Sequence, residues 1–113
     1  MVDPKGRFIA EAVEHGRCTE GGDYKRGNKA FDRMLAAHAE LQGYADRGEL
    51  VLTELLNHPN AWVRLAAATH LLPLRAELAS KVLEDLASGP RSKAEFNARM
   101  VLREWRAGRL NVS

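Results

Sequence analysis

Cysteine, aromatic residues and long apolar runs are all scarce in this sequence of 113 residues. Cys18 is the only cysteine, which excludes an intrachain disulfide and favours a reducing compartment. No stretch approaches the ~18 consecutive apolar residues that a membrane-spanning helix needs. The N-terminal stretch is charged where a secretory signal is apolar. We therefore expect a cytoplasmic protein with no membrane partner.

Aromatic residues make up 6% of the chain, although 45% of its residues are hydrophobic. Leucine and alanine supply most of the apolar side chains, and both favour helices over strands. A chain of this length has room for one domain of ordinary size and buries roughly two-thirds of its unfolded surface. The composition predicts a single all-α domain over residues 1–113.

Six helices are predicted from the apolar periodicity and from the residues that start and stop helices. Asp3 and Pro4 suit a helix start, Gly21 and Gly22 break the chain, and Pro73 ends a helix. The predicted helices are Pro4 to Cys18, Asp23 to Asp46, Glu49 to Asn57, Asn60 or Ala61 to Leu72, Ala76 to Ala87, and Ser92 to Ala107. They pair in order into three hairpins.

A diverged internal repeat supports this pairing. Val51, Leu52, Leu55 and Leu56 match Val82, Leu83, Leu86 and Ala87, and Ala61, Val63 and Ala67 match Ala94, Phe96 and Met100. One short hairpin cannot bury its apolar faces alone, so repeated hairpins predict a stack.

The segment HPNAWVRLAAATHLL, residues 58–72, resembles the turn and second helix of a HEAT repeat. The residues that match the HEAT pattern are Pro59, Val63, Arg64, Ala67 and Ala68. The usual turn aspartate is absent, and His58 and Asn60 lie near its place. In HEAT repeats the arginine at this position bonds to an acidic residue of a neighbouring turn, so the resemblance implies such a bond for Arg64. The resemblance implies a right-handed α-α superhelix, a HEAT-like stack of about three helical hairpins.

The whole chain is also similar to a family of small bacterial proteins of unknown function with a HEAT-like fold. The similarity rests on KRGNKAFDRML at residues 25–35, on residues 58–72, and on ARMVLREWRAGRL at residues 98–110. Members of this kind look like immunity proteins, which neutralise a toxin made by the same or a neighbouring cell. The resemblance therefore implies a toxin domain as the partner.

No group of residues has the spacing of a catalytic or metal site. The four histidines and Cys18 lack a recognised ligand spacing, and His38 falls on an apolar stripe that is typical of a core histidine. Nucleophile motifs, glycine-rich phosphate loops and paired carboxylates are also absent from the sequence. We expect a protein that is not an enzyme and that uses neither a metal nor a cofactor.

Positive charge is concentrated at the end of the chain. Residues 88–113 contain six basic and two acidic residues, a net charge of +4, whereas the whole chain has a net charge of +2. A basic end indicates an acidic partner, either protein or nucleic acid. Cations near a helix C-terminus are also explained by the helix dipole alone, so both interpretations stay open.

Seven side chains are candidates for partner binding because the second helix of each hairpin lines the concave face of HEAT-like stacks. Trp62 is either a half-covered anchor or a packing residue, whereas Trp105 is expected to pack in the core. The predicted partner-binding residues are Arg26, Asp32, Trp62, Arg64, His70, Arg99 and Arg103.

Protein–protein binding without catalysis is the function that these features favour, most specifically toxin neutralisation by an immunity protein. The alternatives are a HEAT-like protein that binds nucleic acid, motivated by the basic end, and an assembly or scaffold factor.

Overall fold

The computed structural model of the chain describes residues 3–111. Over this range it contains six α-helices and no strand, which confirms the predicted all-α class. The helices are α1 (Pro4–Glu20), α2 (Tyr24–Gln42), α3 (Glu49–Leu55), α4 (Ala61–Leu71), α5 (Ala76–Ala87) and α6 (Lys93–Arg106). Residues 1–2 and 112–113, which the predicted domain includes, lie outside the described residues.

Side-chain caps fix the starts of several helices, as the sequence predicts. The Asp3 carboxylate accepts a hydrogen bond from the backbone N–H of Gly6 at 2.8 Å, and Asp23 accepts one from Arg26 at 3.2 Å. Asn60 caps α4 by accepting from the backbone N–H of Trp62 and Val63. Each cap satisfies a donor that the first helical turn leaves without a partner.

The end of α2 differs from the prediction, which continued the helix to Asp46. The helix ends at Gln42, and Gly43 caps it. Asp46 instead accepts hydrogen bonds from the backbone N–H of Gly48 (2.9 Å) and Leu50 (3.0 Å), where α3 begins. The backbone hydrogen bonds from Leu50 and Gly48 stabilise the carboxylate and lower the pKa of Asp46. Asp46 is predicted to lie inside α2, but it instead accepts hydrogen bonds at the start of α3.

The chain divides into two compact units, Met1–Val51 and Leu52–Ser113. In the first unit α1 and α2 pack along each other. The two helices are in close contact at Gly27, where a Cβ would lie 3.4 Å from Cys18 Cβ. His38 is buried with its ring centroid 6.4 Å from that of Phe8, and burial lowers its pKa. The predicted core position of His38 is confirmed.

In the second unit α5 packs against both α4 and α6, and α4 also contacts α6. The sequence predicts that α3 and α4 pack as a hairpin. In the part of the chain that the structure describes, α3 and α4 pack against each other less extensively than α4 and α5 do. The buried side chains of the unit include Leu52, Val63, Ala67, Ala68, Leu71, Leu72, Ala79, Leu83, Ala98 and Leu102. Small residues on α4 allow close helix packing.

Between residues 3 and 111, none of the helices has both the length and the apolar character that crossing a lipid bilayer requires.

Candidate partner-binding site

A shallow groove of about 620 Å³ runs between α5 and α6 in the second unit. Its floor and walls combine apolar side chains with three arginines. It is lined by Glu84, Ala87, Ser88, Arg99, Leu102, Arg103, Arg106 and Ala107, and we refer to it as the arginine groove.

Helix periodicity places the three arginines of the groove in one row. Arg99, Arg103 and Arg106 are spaced four and three residues apart, so they lie on the same side of α6. The side of α6 that carries Ala98 and Leu102 is buried. The arginine side chains remain 66%, 69% and 59% exposed, respectively, so their guanidinium groups are accessible to a partner.

Carboxylates hold two of these arginines in place. Arg99 Nη2 donates to Glu95 Oε1 at 3.0 Å, and the Glu95 side chain is only 9% exposed. Arg106 Nη2 lies 3.3 Å from Glu84 Oε2, which joins α6 to α5. These ion pairs restrict the rotamers of both arginines while more than half of each side chain stays exposed.

Arg103 has the longest of the three ion pairs, because its Nε is 3.9 Å from Glu104 Oε1. Glu104 is instead held by Arg109, whose Nε donates to Glu104 Oε2 at 2.7 Å. The hydrogen bond from Arg109 lowers the pKa of Glu104 and keeps it charged. Arg103 is therefore the arginine of the groove that contributes least to the fold of its own chain.

Two exposed apolar side chains border the arginine row. Phe96 is 59% exposed and Met100 is 37% exposed, and we call them the apolar pair. Helical spacing makes Phe96 a neighbour of Arg99 and Met100 a neighbour of Arg103. Aromatic residues, methionine and arginine are enriched at the centres of protein interfaces.

The repeat comparison gives no sign that the apolar pair is exposed. It equated Phe96 and Met100 with Val63 and Ala67, which are both 0% exposed. In α6 the buried apolar positions are Ala94, Ala98 and Leu102 instead. Phe96 and Met100 do not fall on the four-residue spacing of these buried positions. Large apolar residues outside such a spacing are the sequence feature that could have identified this surface.

The groove brings together Arg99 and Arg103 from the predicted set. Arg26 and Asp32 are exposed on α2 in the first unit, and Arg26 Nε lies 4.0 Å from Asp23 Oδ2. Trp62 and His70 are only 8% and 7% exposed, so each offers little side-chain surface to a partner. The burial of Trp62 favours its interpretation as a packing residue.

Arg64 closes the turn before its own helix. Its Nη1 donates to the carbonyl oxygens of His58 (2.7 Å) and Pro59 (3.0 Å). His58 Nδ1 accepts from the backbone N–H of Asn60 at 3.0 Å. Arg64 therefore has hydrogen-bond partners within its own turn.

Replacing Arg64 with alanine should lower the free energy of unfolding by about 1–2 kcal/mol, because two carbonyls lose a charged donor. Urea denaturation measures this loss. Lys81→Ala on the exposed side of α5 is the matched control, with an expected change within about 0.5 kcal/mol. Equal effects of the two substitutions would contradict a structural role for Arg64.

Groups of three or more His, Cys, Asp or Glu residues that could hold a metal ion do not occur among residues 3–111. Cys18 is buried. The arginine groove offers guanidinium groups and apolar side chains.

The profile of a family described as "Domain of unknown function (DUF2019)" matches residues 6–105. A search of the curated proteins and a search of the solved structures found no significant match.

Proposed function

We propose that this chain, which belongs to the family of unknown function DUF2019, is a non-catalytic protein-binding module that neutralises a toxin as immunity proteins do. The arginine groove with its adjoining apolar pair is the observation that carries the proposal. Arginine and aromatic side chains dominate the energetics of many interfaces, and a basic surface speeds capture of an acidic partner. The cytoplasm is the proposed site of action, in keeping with the single cysteine.

A HEAT-like stack is the proposed arrangement behind this surface. The extended contacts of α1 with α2 and of α5 with α6 support helical hairpins as building units. Residues 58–72 match the HEAT pattern in sequence, although Arg64 bonds to its own turn and not to a neighbouring one. Helical stacks present extended surfaces that bind other proteins, which fits a role in binding.

Toxicity rescue tests the proposal. The chain is co-expressed with each toxin encoded beside its gene, and growth is compared with that of cells carrying an empty vector and with cells expressing an unrelated toxin. We expect the chain to restore growth against its own toxin and to have no effect on the unrelated one. Failure to relieve any neighbouring toxin would remove the immunity role.

Nucleic-acid binding is the second candidate, because residues 88–113 carry a net charge of +4 and three arginines line one groove. Phosphate contacts make such binding fall steeply with salt. Binding of duplex DNA and of single-stranded RNA is therefore measured from low to physiological salt. Absence of binding at low salt would reject this candidate.

A further inference from the structure

We infer that the arginine groove and the apolar pair together receive an acidic amphipathic α-helix of the partner protein. The inference rests on the proposed function and names the chemistry of the partner. It follows from the geometry of α6, from the charge of this end of the chain, and from the contacts that hold the arginines.

A regular helix presents the recognition groups in two parallel rows. Arg99, Arg103 and Arg106 extend over about 10 Å at a rise of ~1.5 Å per residue. Phe96 and Met100 form the adjoining apolar row. A partner helix with carboxylates spaced four and three residues apart, and with apolar residues beside them, matches both rows over about three turns.

Charge argues against a second copy of this chain as the occupant. Two α6 surfaces would bring like charges together, since residues 88–113 have a net charge of +4 in each copy. Such contacts are unfavourable at an interface. An acidic segment has the complementary charge.

The apolar pair distinguishes an amphipathic protein helix from a nucleic-acid duplex. Phosphates would engage the arginines, but a duplex backbone offers nothing that covers Phe96 and Met100. An amphipathic helix covers an apolar row and a basic row at the same time. The combination therefore favours a protein segment.

The ion pairs within the chain prepare the arginines for this contact. Glu95 and Glu84 each engage Nη2 of one arginine, at 3.0 Å and 3.3 Å. A guanidinium has five N–H donors, so donors remain for a partner carboxylate. Side chains that are already ordered lose less entropy on binding.

Selection from a displayed library of helical 16-residue peptides against the full chain tests the inference. We expect the enriched peptides to carry acidic residues at three- and four-residue spacing next to apolar residues. A synthetic copy of one enriched peptide is then titrated against wild-type protein and variants by fluorescence anisotropy.

Arg103→Glu and Phe96→Ala should each weaken this peptide by about tenfold or more, because they remove the central charge contact and the largest apolar contact. Arg103 is chosen because its own ion pair is the longest, at 3.9 Å. The matched controls are Lys29→Glu on α2 and Leu50→Ala, which alter an exposed cation and an exposed apolar residue in the first unit. Both should change Kd less than about twofold.

A charge swap gives an independent readout. A peptide with lysine in place of only the acidic residue that faces Arg103 should regain affinity for Arg103→Glu and should bind the wild-type chain more weakly than the parent peptide does. Thermal unfolding and far-UV circular dichroism of every variant confirm that loss of binding is not loss of folding.

Enriched peptides without acidic residues would overturn the inference, as would unchanged Kd values for both groove variants. Duplex DNA that binds through Arg103 but is indifferent to Phe96→Ala would replace the acidic helix with a nucleic acid. Rescue from a toxin that persists in both variants removes the acidic helix but leaves the immunity role. Failure of the wild-type chain to rescue removes the immunity role itself.

Discussion

Replacing Phe8 with alanine is expected to lower the free energy of unfolding by about 3–5 kcal/mol. The Phe8 side chain is 0% exposed in the core of the first unit, where its ring faces the imidazole of His38. Removing the ring loses its transfer free energy and leaves a cavity that the rigid packing of α1 on α2 closes only in part.

Two optical signals make the Phe8→Ala experiment more informative. Trp62 and Trp105 belong to the second unit, so their fluorescence follows that unit, whereas far-UV circular dichroism follows all six helices. The predicted single domain requires both signals to shift to the same lower urea midpoint. Phe96→Ala is the control, with a loss below about 1 kcal/mol because Phe96 is 59% exposed. A fluorescence midpoint that stays at the wild-type value would contradict the single domain.

Gly48→Ala should cost about 2–4 kcal/mol, for two reasons that act together. Gly48 has φ of +82°, in the left-handed region that residues with a Cβ avoid. A Cβ there would also lie 2.9 Å from Leu41 Cβ and 3.2 Å from the Leu41 carbonyl oxygen. Leu41 is fully buried, so it cannot move aside without disturbing the core.

Gly22→Ala separates the two reasons. Gly22 has a similar φ of +80°, but a Cβ there meets nothing within 4 Å. Its expected cost is the backbone conformation alone, about 1 kcal/mol. Chemical denaturation of both variants measures the difference. Equal losses would show that the contact with Leu41 contributes nothing.

Local signals allowed most of the helices to be predicted from the sequence. Asp3 and Asp23 were recognised as caps because an acidic side chain before an apolar-periodic segment satisfies the first free N–H groups. Gly108, with φ of +73°, follows α6 as a C-terminal glycine does. The end of α2 was missed because Asp46 was assigned to a helix that Gly43 had already ended.

Only part of the candidate site can be predicted from the sequence. Arg99 and Arg103 are predicted because they lie on the second helix of the last hairpin, which lines the concave face in HEAT-like stacks. Glu84 and Ser88 could not be added, because their position in the groove depends on how α5 packs against α6. The exposure of the apolar pair could not be predicted, because the repeat comparison matches Phe96 and Met100 with residues that prove to be buried. The rotation of α6 about its axis decides which of its side chains face the core.

The hydrogen bonds of Arg64 also bear on how this chain can evolve. They join residues six and five positions apart, so both bonds lie within the turn before α4. Hydrogen bonds between successive turns would constrain the length of each turn, because both partners would have to stay within reach. The bonds of Arg64 within its own turn impose no such constraint on other turns. Other turns can then gain or lose residues without disturbing the two hydrogen bonds of Arg64.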